Sequence, residues 1–103
     1  MNNLTPWQVW WADLDPTQGT EQAGRRPVLI VSSTLHLGLV RNSMALILPI
    51  TSRERPALKH RIHVSVGPVT GWVITEQPRT ISAQRLSGTR PVGILDQQQI
   101  GPI

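Results

Sequence analysis

Eight glycines and nine prolines are scattered along this 103-residue chain, and no long stretch between them keeps a helical period. Proline inside a helix removes a hydrogen bond and clashes with the preceding turn, and glycine there costs about 1 kcal/mol relative to alanine. A chain punctuated this often is restricted to short elements joined by turns. Short apolar, β-branched runs lie between the breaks. Gln8 to Leu14 (QVWWADL) reads as a first strand and Arg26 to Ser32 (RPVLIVS) as the clearest one, with Pro27 tolerated near its start. Met44 to Ile50 (MALILPI) is a third, apolar enough to be buried, and Arg61 to Val66 (RIHVSV) alternates as a half-buried strand should. Gly67-Pro68 and Thr70-Gly71 carry turn signals. Trp72 to Glu76 (WVITE) reads as a further strand and Thr80 to Ser82 as a short one. Thr34 to Asn42 is irregular or a short helical segment. Asp96 is placed to N-cap a helical turn over Gln97 to Ile100, and Gly101-Pro102 stops it, so DQQQIGPI has room for one turn.

This pattern predicts a mainly β fold, a small antiparallel barrel with short helical segments, in a single domain spanning residues 1–103. Two long polar loops interrupt it, one after the first strand through Arg25 and one over Thr51 to His60. Binding and catalytic groups concentrate on loops held by such a scaffold.

The formal net charge is +4, and Lys59 is the only lysine among the cations; the rest are arginine. Arginine presents a planar fork of donors that fits phosphate, so the balance favours an anionic partner such as nucleic acid. There is no cysteine, which excludes disulfides, thiol nucleophiles and thiolate metal sites, and fits a cytoplasmic location. The opening MNNLTPWQVWWADLDP lacks a basic segment followed by an apolar one, so no signal peptide is expected. No apolar run approaches the roughly 20 residues a membrane span needs, so no membrane is expected as a partner.

Four segments then stand out in order. Trp11 to Pro16 is a Trp-x-Asp-hydrophobic-Asp-Pro run. Gly19 to Pro27 is Gly-Thr-Glu-Gln-x-Gly-x-Arg-Pro. Pro49 to Ser52 is Pro-x-Thr-Ser, and Glu76 to Ile81 is Glu-Gln-x-Arg-Thr-Ile. Together they resemble the motifs of the MazF/PemK (Kid) toxins of bacterial type II toxin–antitoxin modules, with the second segment the most specific. The resemblance implies an SH3-like barrel related to the gyrase poison CcdB, acting as a homodimer. It implies metal-independent, sequence-selective cleavage of single-stranded RNA without a cofactor, blocked by a cognate antitoxin protein. It places the cleavage residues at Glu21, Arg26 and Thr51. A CcdB-like toxin that binds a protein target such as gyrase without catalysis is the alternative from another class.

The residues suit that chemistry. RNA carries its own nucleophile, the 2′-hydroxyl, so cleavage needs a base for its proton, a donor for the leaving 5′-oxygen and positive charge at the phosphorus. Glu21 is the candidate base; neighbouring arginines favour its charged form, and burial disfavours it. Arg26 is the candidate phosphate clamp. A guanidinium keeps its proton, so electrostatic stabilisation suits it better than acid catalysis. Thr51, where a buried strand meets a polar loop, can donate to a phosphoryl oxygen or bond its own turn. Arg25, Ser52, Arg53, Arg55, Lys59, Gln77 and Arg79 are the candidate RNA-binding residues, and Arg53 to Arg61 is the densest basic stretch.

His60 and His63, three residues apart in a strand, face opposite sides, which argues against a shared metal; a His–His acid/base pair is the rival mechanism. Asp13 and Asp15 share a face only if the strand runs on, and Pro16 speaks for a turn there. No metal site is expected. The only aromatic residues are Trp7, Trp10, Trp11 and Trp72. Alternation puts Trp10 and Trp11 on opposite faces, so one fills the core and the other faces out, toward an interface or a base.

Overall fold

The computed structural model describes residues 4–14 and 24–103. Its centre is an antiparallel trio: β1 (Gln8–Leu14), β2 (Gly24–Ile30) and β3 (Met44–Thr51), with β2 between the other two. The register sets Trp10 opposite Val28, Ala12 opposite Arg26 and Val28 opposite Pro49.

Alternation along these strands feeds two apolar clusters. Trp10, Ala12, Val28, Ile30, Ala45 and Ile47 pack on one side with Leu37 and Ile81. Val9, Leu29, Leu48 and Ile50 pack on the other with Val64, Val66, Val73 and Leu95. Both faces of the central strands are therefore covered. This is why VLI and ALILPI are apolar without a break rather than alternating. Each fully buried Leu, Ile or Val contributes roughly 1.5–3 kcal/mol. Trp10 is the core tryptophan, and its indole N–H donates to Gln8 Oε1 at 2.9 Å inside the protein. Trp11 faces the other way and is partly buried.

β3 is long enough to serve two partners along one edge. Its first half, Met44 to Ile47, pairs with β6 (Arg79–Ser82), and its end, Ile50 and Thr51, pairs with β5 (Val69–Val73). β5 also forms a hairpin with β4 (Ile62–Val66). After β6 a 3-10 turn (Ala83–Arg85) carries the chain to β1, where Leu86 bridges Ala12. The short β7 (Gly93–Ile94) then pairs with Gln8 and Val9. The segment leaving β3 thus returns to the far edge of β1, which curls the sheet. Among the described residues two short α-helices complete the fold. Ser33 caps α1 (Thr34–Leu39), its Oγ accepting from the His36 N–H at 3.0 Å. Asp96 caps α2 (Gln97–Ile100) as expected, accepting from the Gln99 N–H at 3.0 Å.

The mainly antiparallel β architecture with short helices agrees with the expectation. β1 and the start of β3 fall where predicted; β2 begins at Gly24 rather than Arg26. The expected strand from Trp72 to Glu76 is corrected: β5 begins at Val69, and Thr70 and Gly71 lie inside it rather than in a turn. The turn is the two-residue Gly67-Pro68 connection between Val66 and Val69, with Gly67 at φ +55°. Gly71 is glycine for a different reason. A β-carbon there would run into the Thr51 carbonyl oxygen. Among the described residues no helix is long and apolar enough to cross a membrane.

Candidate functional site

Arg26 on β2 and Thr51 on β3 lie at the same end of the central trio, beyond the last β2–β3 pair. Val28 and Pro49 are paired, so extending the register by two residues in each strand sets Arg26 level with Thr51 and on the same side. Arg26 is half-buried on β2 and has a partner of its own. Thr51 is 6% exposed as the last residue of β3. Its Oγ1 accepts from the Arg53 N–H at 3.2 Å, a local turn bond that leaves its own hydroxyl hydrogen available to donate. Gly71 lets β5 approach closely enough to fix the Thr51 carbonyl. Glu21, the expected base, lies outside the described residues, as does Asp15.

Arg25 goes elsewhere. Consecutive strand residues point to opposite faces, and the Arg25 guanidinium lies 5.2 Å from the Trp11 ring centroid, a cation–π contact. Directly after Thr51 the chain exposes Ser52, Arg53, Arg55 and Lys59, with Glu54 the one acid among them. This basic loop runs on from the Arg26–Thr51 end. Gln77 and Arg79 are half-buried, and both have partners. Arg79 opens β6 opposite Ile47, about 13 Å back along β3 from Thr51.

The loop is tied at its base by a contact that the spacing did not reveal. Arg61 grips Glu76, with Nη2 at 2.7 Å and Nε at 3.1 Å from Oε2. His60 Nε2 lies 3.1 Å from Oε1 of the same carboxylate. The Thr75 hydroxyl donates to the His60 carbonyl at 2.9 Å. The Arg61 hydrogen bond holds the Glu76 carboxyl below its ordinary value, and partial burial opposes it. Arg61 is thus a structural cation. Arg61 and Glu76 are fifteen residues apart, so no local pattern signals the pair.

His60 and His63 have separate partners. His63 meets Trp72 edge-on, ring centroids 4.9 Å apart and planes at 60°. The cavity lined by Leu4, Trp10, Asn42 and Ser43, of about 390 Å³, lies at the opposite end of β3 from Thr51.

A protein-family profile described as PemK-like, MazF-like toxin of type II toxin-antitoxin system matches residues 5–103. The chain is 38% identical over 87 residues to the endoribonuclease PemK of Escherichia coli, covering 81% of this chain and 64% of that protein's length. It is 34% identical over 85 residues to the endoribonuclease EndoA of Bacillus subtilis strain 168, covering 77% of this chain and 71% of that protein. A crystal structure of MazF from Deinococcus radiodurans superposes with a TM-score of 0.82 at 20% identity, covering 99% of this chain and 90% of that one. An endoribonuclease in complex with its cognate antitoxin from a mycobacterial species superposes with a TM-score of 0.72 at 19% identity, covering 99% and 86%.

Proposed function

Because the chain belongs to the PemK-like, MazF-like toxin family of type II toxin–antitoxin systems, we propose that it is a cytoplasmic endoribonuclease toxin that cuts single-stranded RNA at selected sequences and is neutralised by a cognate antitoxin. The observation that carries this reading is the register that sets Arg26 level with Thr51 at the root of a basic loop.

The reaction follows from those groups. Glu21 takes the proton of the 2′-hydroxyl, and the 2′-oxygen attacks the adjacent phosphorus. The bond from phosphorus to the 5′-oxygen breaks, and that oxygen takes up one proton, which balances the one removed. The products are a 2′,3′-cyclic phosphate and a 5′-hydroxyl, and no water enters this step. Charge builds on the non-bridging oxygens as the phosphorane forms. Arg26 meets it with a permanent cation, and the Thr51 hydroxyl adds a donor beside it. No step calls on a metal or other cofactor. The active form is a homodimer.

Glu21 and Arg26 lie five residues apart on either side of the start of β2. Arg53, Arg55 and Lys59 track the RNA backbone and draw the strand in by charge. End-group analysis tests the reading. Short RNA incubated with the protein in EDTA should give 5′-hydroxyl fragments and cyclic phosphate ends. Intact RNA, or 5′-phosphate ends, would contradict it.

A further inference from the structure

The row of residues that contains Thr51 does not stop at β3. Thr51 pairs with Trp72 on β5, and Trp72 pairs with His63 on β4. Opposed residues in neighbouring strands project to the same side. Thr51, Trp72 and His63 therefore form one line across the sheet, and the β2–β3 register extends it to Arg26.

The hairpin's other face is committed to the core. Val64, Val66, Val69 and Val73 are buried, and Gly71 is pressed against β3. Its outer face carries Trp72, half-buried, with His63, Ser65 and Thr70 exposed. A large aromatic on a polar outer face is anchored by the sheet, not consumed by it. The edge contact from His63 at 4.9 Å holds the indole in place.

Resting on the endoribonuclease reading above, we propose that Trp72, braced by His63, is a stacking platform for a base flanking the scissile phosphate. The placement fits. Trp72 lies one strand interval, about 4.8 Å, from Thr51 and two intervals from the level of Arg26, so a base next to a phosphate held at Thr51 and Arg26 is carried toward the indole. The charge fits as well: Arg53, Arg55 and Lys59 leave the same strand end and are exposed, so the surroundings attract a polyanion. Single-strand binders combine a cationic track with aromatic faces in this way, because every base offers a π-face.

The test separates binding from cutting. A fully 2′-O-methylated oligonucleotide cannot be cleaved, so its affinity reports binding without the chemical step. Trp72→Leu, which keeps apolar bulk without a stacking face, should raise Kd about tenfold, while Trp72→Phe should stay within about threefold. An oligonucleotide with one abasic residue at the stacked position should bind the parent and Trp72→Leu alike. Circular dichroism and sedimentation confirm the fold and the association state. Unchanged affinity in Trp72→Leu, or an equal tenfold loss on every abasic oligonucleotide, overturns the platform. A Trp72→Leu protein that dissociates assigns this face to a second copy and overturns it too. If the parent binds in a Trp72-dependent way yet never cleaves unmodified RNA, the platform stands and the nuclease reading falls.

Discussion

Arg61 and Glu76 join the end of the basic loop to the segment between β5 and β6, with Nη2 and Oε2 2.7 Å apart. Their side chains are 11% and 35% exposed, so the pair is partly screened and contributes less than about 1 kcal/mol to stability. Its larger effect is on geometry, because the cations of the loop are only as well placed as its base.

Glu76→Gln should therefore weaken RNA binding more than it slows the chemical step. The check is the split between KM and kcat, with KM rising severalfold and kcat nearly unchanged.

The same pair predicts a pH dependence. Arg61 favours ionised Glu76, so its folded pKa lies below the ordinary 4.5. The stabilisation is present above that ordinary value and is lost as pH falls through the lowered one. The difference in urea midpoint between the parent and Glu76→Gln should be constant at neutral pH and shrink as pH drops below about 4.5.

Gly71→Ala should damage both stability and activity. The new methyl would meet the Thr51 carbonyl oxygen, and Ile50 Cγ2 at 3.1 Å blocks its escape. Overpacking of this kind costs about 1–3 kcal/mol. Chemical denaturation reads the stability. Cleavage under conditions where the variant is folded reads the displacement of Thr51.

Arg53, Arg55 and Lys59 are exposed, so their removal should leave the fold intact. If each meets a phosphate, each alanine substitution should lower the slope of log affinity against log salt by about 0.7. An unchanged slope would remove that residue from the RNA path.

Much of the fold could be read in the sequence where a local rule dominates. β1 is bounded by its own pattern, α2 by Asp96, and β3 by an apolar run ending at a polar loop. The misreading came where a distant contact decides. Gly71 looks like a turn residue from its neighbours, and only the approach of β5 to Thr51 explains it. β7 is two residues long and exists because β1 has a free edge near Val9. The site divides in the same way. Arg26 and Thr51 could be placed from their motifs, but their common level follows from strand register. The His63–Trp72 pairing follows from the Gly67-Pro68 turn, but the Arg61–Glu76 tie and the Thr51–Trp72 pairing join different strands and loops, so sequence spacing carries no trace of them.

The central claim is that Arg26 stabilises the transition state of a metal-free cleavage. The most direct measurement compares the parent with Arg26→Ala on single-stranded RNA in EDTA, at protein concentrations above KM. The account predicts cleavage by the parent and a loss of at least about a hundredfold in the variant, with unchanged circular dichroism. Equal cleavage by both proteins, or a parent that cuts only when a divalent metal is restored, would contradict it.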